Sequence, residues 1–364
     1  MTIQKSYFTT GLCKVCYREL PATIEYRIDG AAYITKVCPV HGYQEAMVEK
    51  SYDFWDSITQ MNPDNQCWDV YNNVSTIEVT DRCNVQCKHC YHDPDNDIPD
   101  KPLEWIIKTA KAAPGHTVCL SGAEPTMRKD LPELISAIQQ IPYGNSTKQA
   151  NLYTNGIKLQ NRDYVKELSN VKLSSVNLSI HHPEYHSDVI WKNVSKALTN
   201  IVEENIPLAQ VSFTVESKDQ VRHAIEKILW IEKNGMRAFN YCIRSPSRIG
   251  VSFEQESEVF SSEIYQWISE IAIEYDLPFG KHPNYGSNPY HVGTLLGDNL
   301  IQIIHWGDVN SVDTSYMYMG PWASFIPNTR GTFLIQAILR DGWKKGWWQG
   351  QRLVPESQQV VFVR

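Results

Sequence analysis

Short apolar runs and longer amphipathic segments alternate along the chain from about residue 75 to residue 275. Six of the runs are short and rich in β-branched residues, which predicts β-strands. They are Thr76–Thr80, Thr117–Ser121, Ala150–Thr154, Ser175–His181, Ala209–Val215 and Ala238–Arg244. Between and after them, apolar residues recur at the spacing of a helix. The predicted helices are Leu103–Ala113, Leu131–Ile141, Arg162–Leu168, Val189–Glu204, Val221–Asn234 and Val259–Tyr275.

Six successive βα units indicate a parallel sheet with right-handed crossovers. A complete barrel of this kind has eight units, so we expect an α/β fold with a partial (β/α)6 TIM-type barrel over residues 71–277. The flanking segments have a different character. Residues 1–70 contain paired thiols and little helical period, which is typical of a small zinc-ribbon or rubredoxin-like metal module. Residues 278–364 are rich in glycine, asparagine and aromatic residues, and we expect them to cover the substrate.

The composition is that of a folded protein, and it disfavours nucleic acid as a partner. Of its 364 residues, 42% are apolar and 21% are charged, close to the globular average. The formal net charge of −7 makes nucleic-acid binding an unfavoured function. No apolar run approaches the ~18 residues of a membrane span, and the polar first ten residues do not resemble a signal peptide. We therefore expect a cytoplasmic protein without a membrane span.

Nine cysteines are too few for a disulfide scaffold, and six of them fall into two groups. One group, Cys83, Cys87 and Cys90, follows the first predicted strand, where the loops of a barrel carry function. Three thiolates on a [4Fe–4S] cluster leave one iron open, whereas a structural zinc site takes four closed ligands. The alternative is a zinc knuckle completed by His89 or His92.

Motifs at three successive strand ends resemble those of the radical S-adenosylmethionine (SAM) superfamily. The three cysteines, with Thr80-Asp81-Arg82 before them, resemble its CxxxCxxC motif. Gly122-Ala123-Glu124-Pro125 resembles its Gly-Gly-Glu-Pro turn, although Ala123 replaces the second glycine. Thr154-Asn155-Gly156 is similar to its Thr-Asn-Gly segment. The order of these motifs matches the order in the family, and the resemblance covers roughly residues 75–275.

The resemblance implies a set of cofactor contacts. Glu124 would accept the SAM ammonium group, and Ser179 and Arg244 fall where members often bind the ribose and the carboxylate. His89 falls where members often have an aromatic residue near the adenine, although an exposed polar loop residue explains it equally well. The implied cofactor-binding residues are Cys83, Cys87, Cys90, His89, Gly122, Ala123, Glu124, Pro125, Asn155, Ser179 and Arg244.

The resemblance also implies a reaction. In the family, SAM binds the open iron, the reduced cluster donates an electron, and SAM splits into methionine and a 5′-deoxyadenosyl radical that abstracts hydrogen from the substrate. The protein orients SAM, excludes water and holds the C–H bond close. The expected cofactors are one [4Fe–4S] cluster and S-adenosyl-L-methionine, with an external electron donor such as flavodoxin or ferredoxin. His181 and His182, at the end of the fourth strand, are candidates for general acid–base catalysis or for capping.

The second cysteine group lies near the start of the chain. Cys13 and Cys16 form one thiol pair, and Cys38 is followed by Pro-Val-His41-Gly. A predicted hairpin turning at Asp29-Gly30 connects the two halves. This segment resembles the N-terminal module of radical SAM proteins related to 7,8-dihydro-6-hydroxymethylpterin dimethyltransferase and the tetraether lipid synthases. His41 would complete a zinc site of three thiolates and one imidazole, whereas Cys67 would make an all-thiolate site able to hold mononuclear iron; His41 is preferred.

These observations support two functions from different classes. The first is a radical SAM enzyme that functionalises a C–H bond of a small or medium-sized metabolite by methyl or alkyl transfer, cyclisation, rearrangement or dehydrogenation. The second is a zinc-ribbon protein that binds RNA or a protein, with the barrel cysteines holding another structural zinc. The negative net charge and the Gly122–Pro125 turn disfavour the second. No motif indicates the substrate.

Overall fold

The structure is a computed structural model, and it describes residues 2–16, 18–59, 74–87, 90, 94–113, 115–185, 188–246, 259–281, 291–304, 311, 324–326, 346–349 and 352–355. Its first sheet is antiparallel and has four strands in chain order. They are β1 (Ile3–Leu12), β2 (Glu19–Arg27), β3 (Ala32–Cys38) and β4 (Gly42–Glu49). The predicted turn joins β2 to β3, where Gly30 has a positive φ of 89°. Helix α1 (Tyr52–Thr59) follows, and its buried Trp55 packs against this sheet.

The six predicted strands form the centre of a second sheet. They are β5 (Val74–Thr80), β6 (Thr117–Gly122), β9 (Gln149–Thr154), β10 (Ser175–Ser179), β11 (Leu208–Thr214) and β12 (Asn240–Arg244), and the small ribbon β7 (Pro142–Tyr143) with β8 (Ser146–Thr147) precedes β9. All six run parallel, and each one pairs with the next along the chain. Each βα unit therefore places its strand next to the strand of the preceding unit, which is the strand order of a (β/α) barrel.

Six helices alternate with these strands, as predicted. They are α2 (Leu103–Ala112), α3 (Leu131–Ile138), α4 (Arg162–Asn170), α5 (Asp188–Glu203), α6 (Lys218–Lys233) and α7 (Ser261–Glu274). Because side chains alternate between the two faces of a strand, every second strand residue points toward the helices. Leu120, Leu152 and Leu178 do so, and they share one fully buried core with Ile135 and Leu198. Among the described helices, none has the length and apolar character that crossing a bilayer requires.

Further strands extend both edges of the parallel sheet. They are β13 (Phe279–Lys281), β14 (His291–Leu296), β15 (Asn299–Ile304) and β16 (Ser324–Ile326), and a separate ribbon pairs β17 (Gly346–Gln349) with β18 (Arg352–Pro355). Strand β15 lies parallel to β12, and β16 lies parallel to β5 at the opposite edge. In the described part of the chain the ten strands remain an open sheet with β13 and β16 as its edges. The fold is therefore mixed α/β with a parallel sheet, and a partial barrel is compatible with it.

Some element boundaries differ from the prediction for local reasons. Helix α3 ends at Ile138 rather than at Ile141, because Pro142 and the positive-φ Gly144 turn the chain into the β7–β8 ribbon. Helix α6 begins three residues early, since Ser217 accepts a hydrogen bond from the Gln220 backbone and caps it. Strand β10 ends at Ser179, two residues before the predicted end. His181 and His182 therefore lie on a loop and not on the strand.

A buried carboxylate attaches the end of the N-terminal sheet to the last helix of the central series. Glu49, at the end of β4, is 2% exposed and accepts hydrogen bonds from the hydroxyl (2.5 Å) and backbone N–H (3.2 Å) of Ser262. These groups belong to the first turn of α7, where a carboxylate also interacts favourably with the helix dipole. The neighbouring Lys50 forms an ion pair of 2.8 Å with Glu263. Burial nevertheless raises the pKa of Glu49 to about 7.

Glu49→Gln should change the pH dependence of stability. A carboxyl whose pKa is raised on folding stabilises the protein below its ordinary pKa, and that contribution disappears as pH rises through the folded value. Wild type should therefore lose up to about 3 kcal/mol relative to Glu49→Gln between pH 4.5 and pH 8. Urea unfolding across this range measures the difference. Glu263→Gln, which removes an exposed ion pair, is the control, and a pH-independent difference for Glu49→Gln would contradict the assignment.

Candidate functional site

The N-terminal sheet brings four potential metal ligands together. Among the described residues, the ligand atoms of Cys13, Cys16, Cys38 and His41 all lie within 4.8 Å of one another. Cys13 and Cys16 follow β1, and Cys38 and His41 lie at the turn from β3 to β4. Hydrogen bonds from Gln44 Nε2 (3.1 Å) and from a backbone N–H approach the Cys13 sulfur. Although burial opposes it, these contacts lower the pKa of Cys13 to about 6, which favours the thiolate that binds metals.

The spacing of these four atoms fits a tetrahedral metal. His41 Nδ1 lies 3.4 Å from the Cys13 sulfur and 3.5 Å from the Cys38 sulfur, and the sulfurs of Cys16 and Cys38 are 3.9 Å apart. Zinc bound by three thiolates and one imidazole requires about 3.5 Å between nitrogen and sulfur and about 3.8 Å between sulfurs. The structure therefore supplies a complete set of ligands with His41 as the fourth. Cys67, the other candidate, lies outside the described residues.

The loop that carries Cys83, Cys87 and Cys90, here called the Cys loop, leaves the carboxyl end of β5. Asparagine side chains hold it, and of these the sequence analysis singled out only Asn155. Asn96 accepts a hydrogen bond from the Cys83 N–H at 3.1 Å, and Asn155 Nδ2 donates to Asn84 at 2.8 Å. Asn155 was expected to contact a cofactor, and here it ties the Cys loop to the end of β9. His89 and His92 lie outside the described residues.

The three thiols of the Cys loop are close enough to interact electrostatically. Burial raises the pKa of Cys83 to about 11, and burial together with the neighbouring Cys90 and Cys83 raises the pKa of Cys87 to about 12. The thiols of Cys83 and Cys87 therefore remain protonated at neutral pH in the metal-free chain. A metal ion bound by these cysteines would stabilise their thiolate form.

The turn after β6 packs directly against the start of the Cys loop. Gly122 has a φ of 118°, and a Cβ atom added there would lie 2.3 Å from the carbonyl oxygen of Thr80. Next to it, Ala123 N–H donates to Thr80 O and Glu124 N–H donates to Arg82 O, both at 3.0 Å. Sequence reasoning attributed Gly122 to the approach of a ligand. In the structure the glycine is needed for the approach of the chain's own backbone.

Glu124 is engaged by groups of its own chain. The carboxylate is 1% exposed and accepts four hydrogen bonds, from the backbone (3.0 Å) and hydroxyl (2.6 Å) of Thr126, the Thr154 hydroxyl (2.8 Å) and the Asn155 N–H (2.7 Å). Burial still raises its pKa. Glu124 thus joins the β6 turn, including the buried Pro125, to the end of β9. Its expected contact with an ammonium group stays a prediction.

Two arginines and one aspartate fix the beginning of the Cys loop, and no motif pointed to the pairing. Arg82 donates to Asp100 from Nε at 3.0 Å and also through Nη2, and Asp100 accepts from the Thr80 hydroxyl at 2.5 Å. Burial acts to raise the pKa of Asp100, but the hydrogen bonds from Arg82 and Thr80 hold it below its usual value. Arg128, 2% exposed, donates to the carbonyl oxygens of Val79 and Lys101. These hydrogen bonds therefore fix the position of the first residues of the Cys loop.

A small, mostly apolar cleft opens beside the Cys loop at the ends of β9 and β10. Its walls include Val85 of the loop, together with Ser179, His181 and, from helix α6, His223. His223 was missed by the sequence analysis, because nothing in its helical segment distinguishes it from a surface residue. Its Nε2 atom is buried with no hydrogen-bond partner in the described part of the chain. Burial, with Lys227 and His182 nearby, lowers its pKa to about 4, so the ring is neutral at physiological pH.

The remaining predicted residues lie nearby with contacts of their own. His182 Nδ1 accepts the Glu184 N–H at 3.3 Å, which is a capping contact, and the His182 ring meets the His223 ring edge to face at 5.0 Å. Arg244, half-buried at the end of β12, donates from Nε to the Thr214 hydroxyl at 3.3 Å. The predicted cofactor-binding residues that the structure describes thus lie at one end of the parallel strands, where ligands bind in such sheets.

Gly122→Ala should disrupt the junction between the β6 turn and the Cys loop. Both the positive φ and the contact with backbone oppose any side chain, so we expect a loss of about 2 kcal/mol or more in the free energy of unfolding. Gly144→Ala is the matched control, since Gly144 also has a positive φ (56°) but open space around it; it should cost only about 1 kcal/mol. Equal losses for the two variants in thermal or urea unfolding would show that the Thr80 contact is unimportant.

Comparison with known proteins agrees with this geometry. Residues 77–228 match the Radical SAM superfamily, and residues 6–50 match the HMPTM N-terminal zinc ribbon domain. The chain is 31% identical over 199 residues to 7,8-dihydro-6-hydroxymethylpterin dimethyltransferase of Methanocaldococcus jannaschii, covering 47% of this chain and 38% of the relative. It is 30% identical over 151 residues to a probable GTP 3′,8-cyclase of Methanococcus aeolicus, covering 39% of this chain and 50% of the relative.

Among solved structures, the chain is similar to SuiB of Streptococcus suis bound to its precursor peptide SuiA, with a TM-score of 0.45 and 15% sequence identity. The match covers 62% of this chain and 50% of the SuiB chain. The chain spans half or less of the length of the two relatives named above. The predicted boundaries after residues 70 and 277 fall outside both family matches and stay predictions. The chain contains a radical SAM superfamily domain, preceded by an N-terminal zinc ribbon domain.

Proposed function

We propose that this chain is a radical SAM enzyme that cleaves S-adenosylmethionine reductively and functionalises a C–H bond of a small or medium-sized metabolite. The observation that carries the proposal is the junction of Thr80, Gly122 and Glu124, which holds a three-cysteine loop at the ligand-binding end of a radical SAM domain. The two curated relatives named above are a pterin dimethyltransferase and a probable GTP cyclase, so their printed names support a metabolite as substrate.

In this proposal, Cys83, Cys87 and Cys90 hold a [4Fe–4S] cluster. Three thiolates leave one coordination position for SAM, and when bound, the reduced cluster and SAM supply a 5′-deoxyadenosyl radical for hydrogen abstraction. The protein itself positions the cluster ligands and shields the site from water. Arg82 and Asp100 fix the loop, Glu124 fixes the neighbouring turn, and the apolar walls of the adjoining cleft exclude water from a reactive site.

The histidines divide into two roles. His181 lines the cleft beside Val85, so it is the better placed of the two candidates for general acid–base catalysis. His182 accepts the backbone N–H of Glu184, which supports the capping role. Ser179 also lines the cleft and is available to a ribose, whereas Arg244 is half-buried at the end of β12 and is a candidate for the SAM carboxylate.

The zinc ribbon is a module within this enzyme. The same chain matches both the zinc ribbon domain and the radical SAM superfamily, so the ribbon does not indicate a separate binding protein. Four closed ligands suit a structural zinc and leave no open position for chemistry. We further propose a cytoplasmic enzyme reduced by a flavodoxin or ferredoxin. The cluster needs one electron from outside for each reductive cleavage, and no disulfide joins the eight described cysteines, as in a reducing compartment.

Removing any cysteine of the Cys loop should abolish SAM cleavage. After anaerobic reconstitution and reduction with dithionite, wild type should release 5′-deoxyadenosine from SAM, and Cys83→Ala, Cys87→Ala and Cys90→Ala should release none above background, because a cluster ligand is missing. Cys119→Ala is the control, since Cys119 is buried in β6 away from the loop. Liquid chromatography quantifies the product. Retained cleavage in any of the three loop variants would refute the cluster assignment.

The zinc assignment predicts one zinc per chain that does not depend on the Cys loop. Elemental analysis of Cys13→Ser and His41→Ala should show most of the zinc lost, whereas Cys83→Ala should lose iron and keep its zinc. Cys67→Ser should keep both metals, because His41 already completes the tetrahedron. If Cys67→Ser loses the zinc and His41→Ala retains it, the fourth ligand is Cys67 and the ligand set proposed here is wrong.

A further inference from the structure

Exposed apolar side chains are concentrated in the N-terminal zinc ribbon. In the described part of the chain, eleven large apolar side chains are exposed, and seven of them belong to residues 3–43. A single exposed apolar residue is normal on a protein surface, whereas a continuous patch marks a surface that meets another molecule. Whether these residues form a patch depends on the strands that carry them and on the face to which they point.

One face of the ribbon sheet is covered and the other is open. Ile24 of β2 and Ile34 of β3 are fully buried against Trp55 of helix α1, and Tyr7 of β1 packs on the same side. Side chains alternate between the two faces of a strand. Phe8 in β1, next to Tyr7, and the odd-numbered residues of β2 and β3 therefore point away from α1. We call this side of the sheet the outer face.

The outer face carries exposed apolar side chains from all four strands. Val37 of β3 and Tyr43 of β4 lie directly opposite each other and are 63% and 62% exposed. Pro21 of β2 is also exposed, and Phe8 of β1 is 94% exposed. Val40, 69% exposed, lies in the turn that joins β3 to β4. Because the strands are neighbours in chain order, these residues form one apolar patch toward the end of the sheet that carries the zinc ligands.

The charged side chains beside this patch are paired with one another. Arg27, 4% exposed, forms ion pairs with Glu25 at 2.7 Å and with Glu45 at 2.6 Å. The Tyr43 hydroxyl also donates to Glu45, at 2.7 Å, and so connects the ion pairs to the apolar patch. An apolar centre bordered by paired polar groups is the usual anatomy of an interface between proteins.

The size of the patch suits the pairing of two identical copies. Phe8 and Tyr43 together expose roughly 300 Å², since an aromatic side chain contributes ~150–250 Å². With Pro21, Val37 and Val40 the patch reaches roughly 600 Å², so two copies would bury about 1,200 Å², which is the lower limit for a specific interface. A twofold axis makes the same patch face itself. Because the neighbouring charges are paired within each copy, that arrangement forces no unpaired like charges together.

We propose that the outer face of the zinc ribbon joins two copies of this chain into a twofold-symmetric dimer, with Phe8, Val37 and Tyr43 at the centre of the interface. The two ribbon sheets would pack face to face, as the sheets of a β-sandwich do. Helix α1, on the opposite side of the ribbon sheet, contacts helix α7 through the rings of Phe54 and Tyr265 at 5.4 Å. The interface therefore lies on the side of the ribbon that faces away from α7, and the inference does not depend on the proposed chemistry.

Sedimentation equilibrium of the full-length, zinc-containing protein tests the dimer. Wild type should be dimeric at micromolar concentration. Phe8→Lys and Val37→Lys should each weaken the dimer at least about tenfold, because each places two like charges at the centre of an apolar interface. Phe239→Lys is the matched control, since Phe239 is 72% exposed but lies outside the ribbon, and it should dimerise like wild type. Zinc content should be unchanged in all three variants, because the substituted side chains are exposed.

Two results would overturn the inference. A wild type that remains monomeric up to about millimolar concentration would show that the outer face meets a different partner or none. A dimer that persists in both Phe8→Lys and Val37→Lys with zinc retained would show that another surface joins the copies. If a lysine variant loses its zinc, the serine variant at the same position replaces it.

Release of 5′-deoxyadenosine is scored separately from the oligomeric state. Phe8 and Val37 lie outside the radical SAM domain, so both lysine variants should cleave SAM like wild type. A wild type that dimerises through the outer face but releases no 5′-deoxyadenosine would contradict the proposed function and leave the dimer supported.

Discussion

The close backbone contact between Thr80 and Gly122 is the constraint on which the candidate site depends. It joins the carboxyl ends of β5 and β6, and the two hydrogen bonds beside it fix the turn at Ala123 and Glu124 against the first residues of the Cys loop. Glu124 then extends the junction to the end of β9 through the Thr154 hydroxyl and a backbone N–H. Backbone contacts and one buried carboxylate thus hold three strand ends together. Because the Cys loop starts at one of these strand ends, its three thiols are held in defined positions.

The two cysteine groups differ in how the surrounding protein affects their thiolate form. In the N-terminal ribbon, Gln44 and backbone N–H groups stabilise the thiolate of Cys13, and His41 completes a tetrahedron, so the ligands are arranged before a metal arrives. In the Cys loop, burial and mutual repulsion raise the pKa values of Cys83 and Cys87, so their thiolates would need the positive charge of a bound metal. The first arrangement suits a permanent structural ion. The second suits the proposed cluster, on which three thiolates would leave one coordination position open.

The sequence was sufficient to predict the six central strands and the helices between them, because their apolar periods are regular and each strand buries one full face against helices. The positions of the motifs at strand ends followed from the same periodicity. What could not be predicted depends on contacts between distant residues. Asp100 and Arg128 show no local signal, and the strands from β13 to β16 join the sheet through pairing that only the folded chain defines. The contact between Asn155 and Asn84 could not be predicted for the same reason, since the two residues lie 71 positions apart, and the expected cofactor contact of Asn155 stays a prediction.

The proposed chemistry requires the Cys loop to hold a [4Fe–4S] cluster with one iron left open for SAM. Mössbauer spectroscopy of protein reconstituted with iron-57, recorded before and after addition of SAM, tests it most directly. We expect a four-iron cluster in which SAM shifts the Mössbauer parameters of one iron and leaves those of the other three unchanged. A spectrum that does not respond to SAM, or a protein that binds zinc but no iron at Cys83, Cys87 and Cys90, would contradict it.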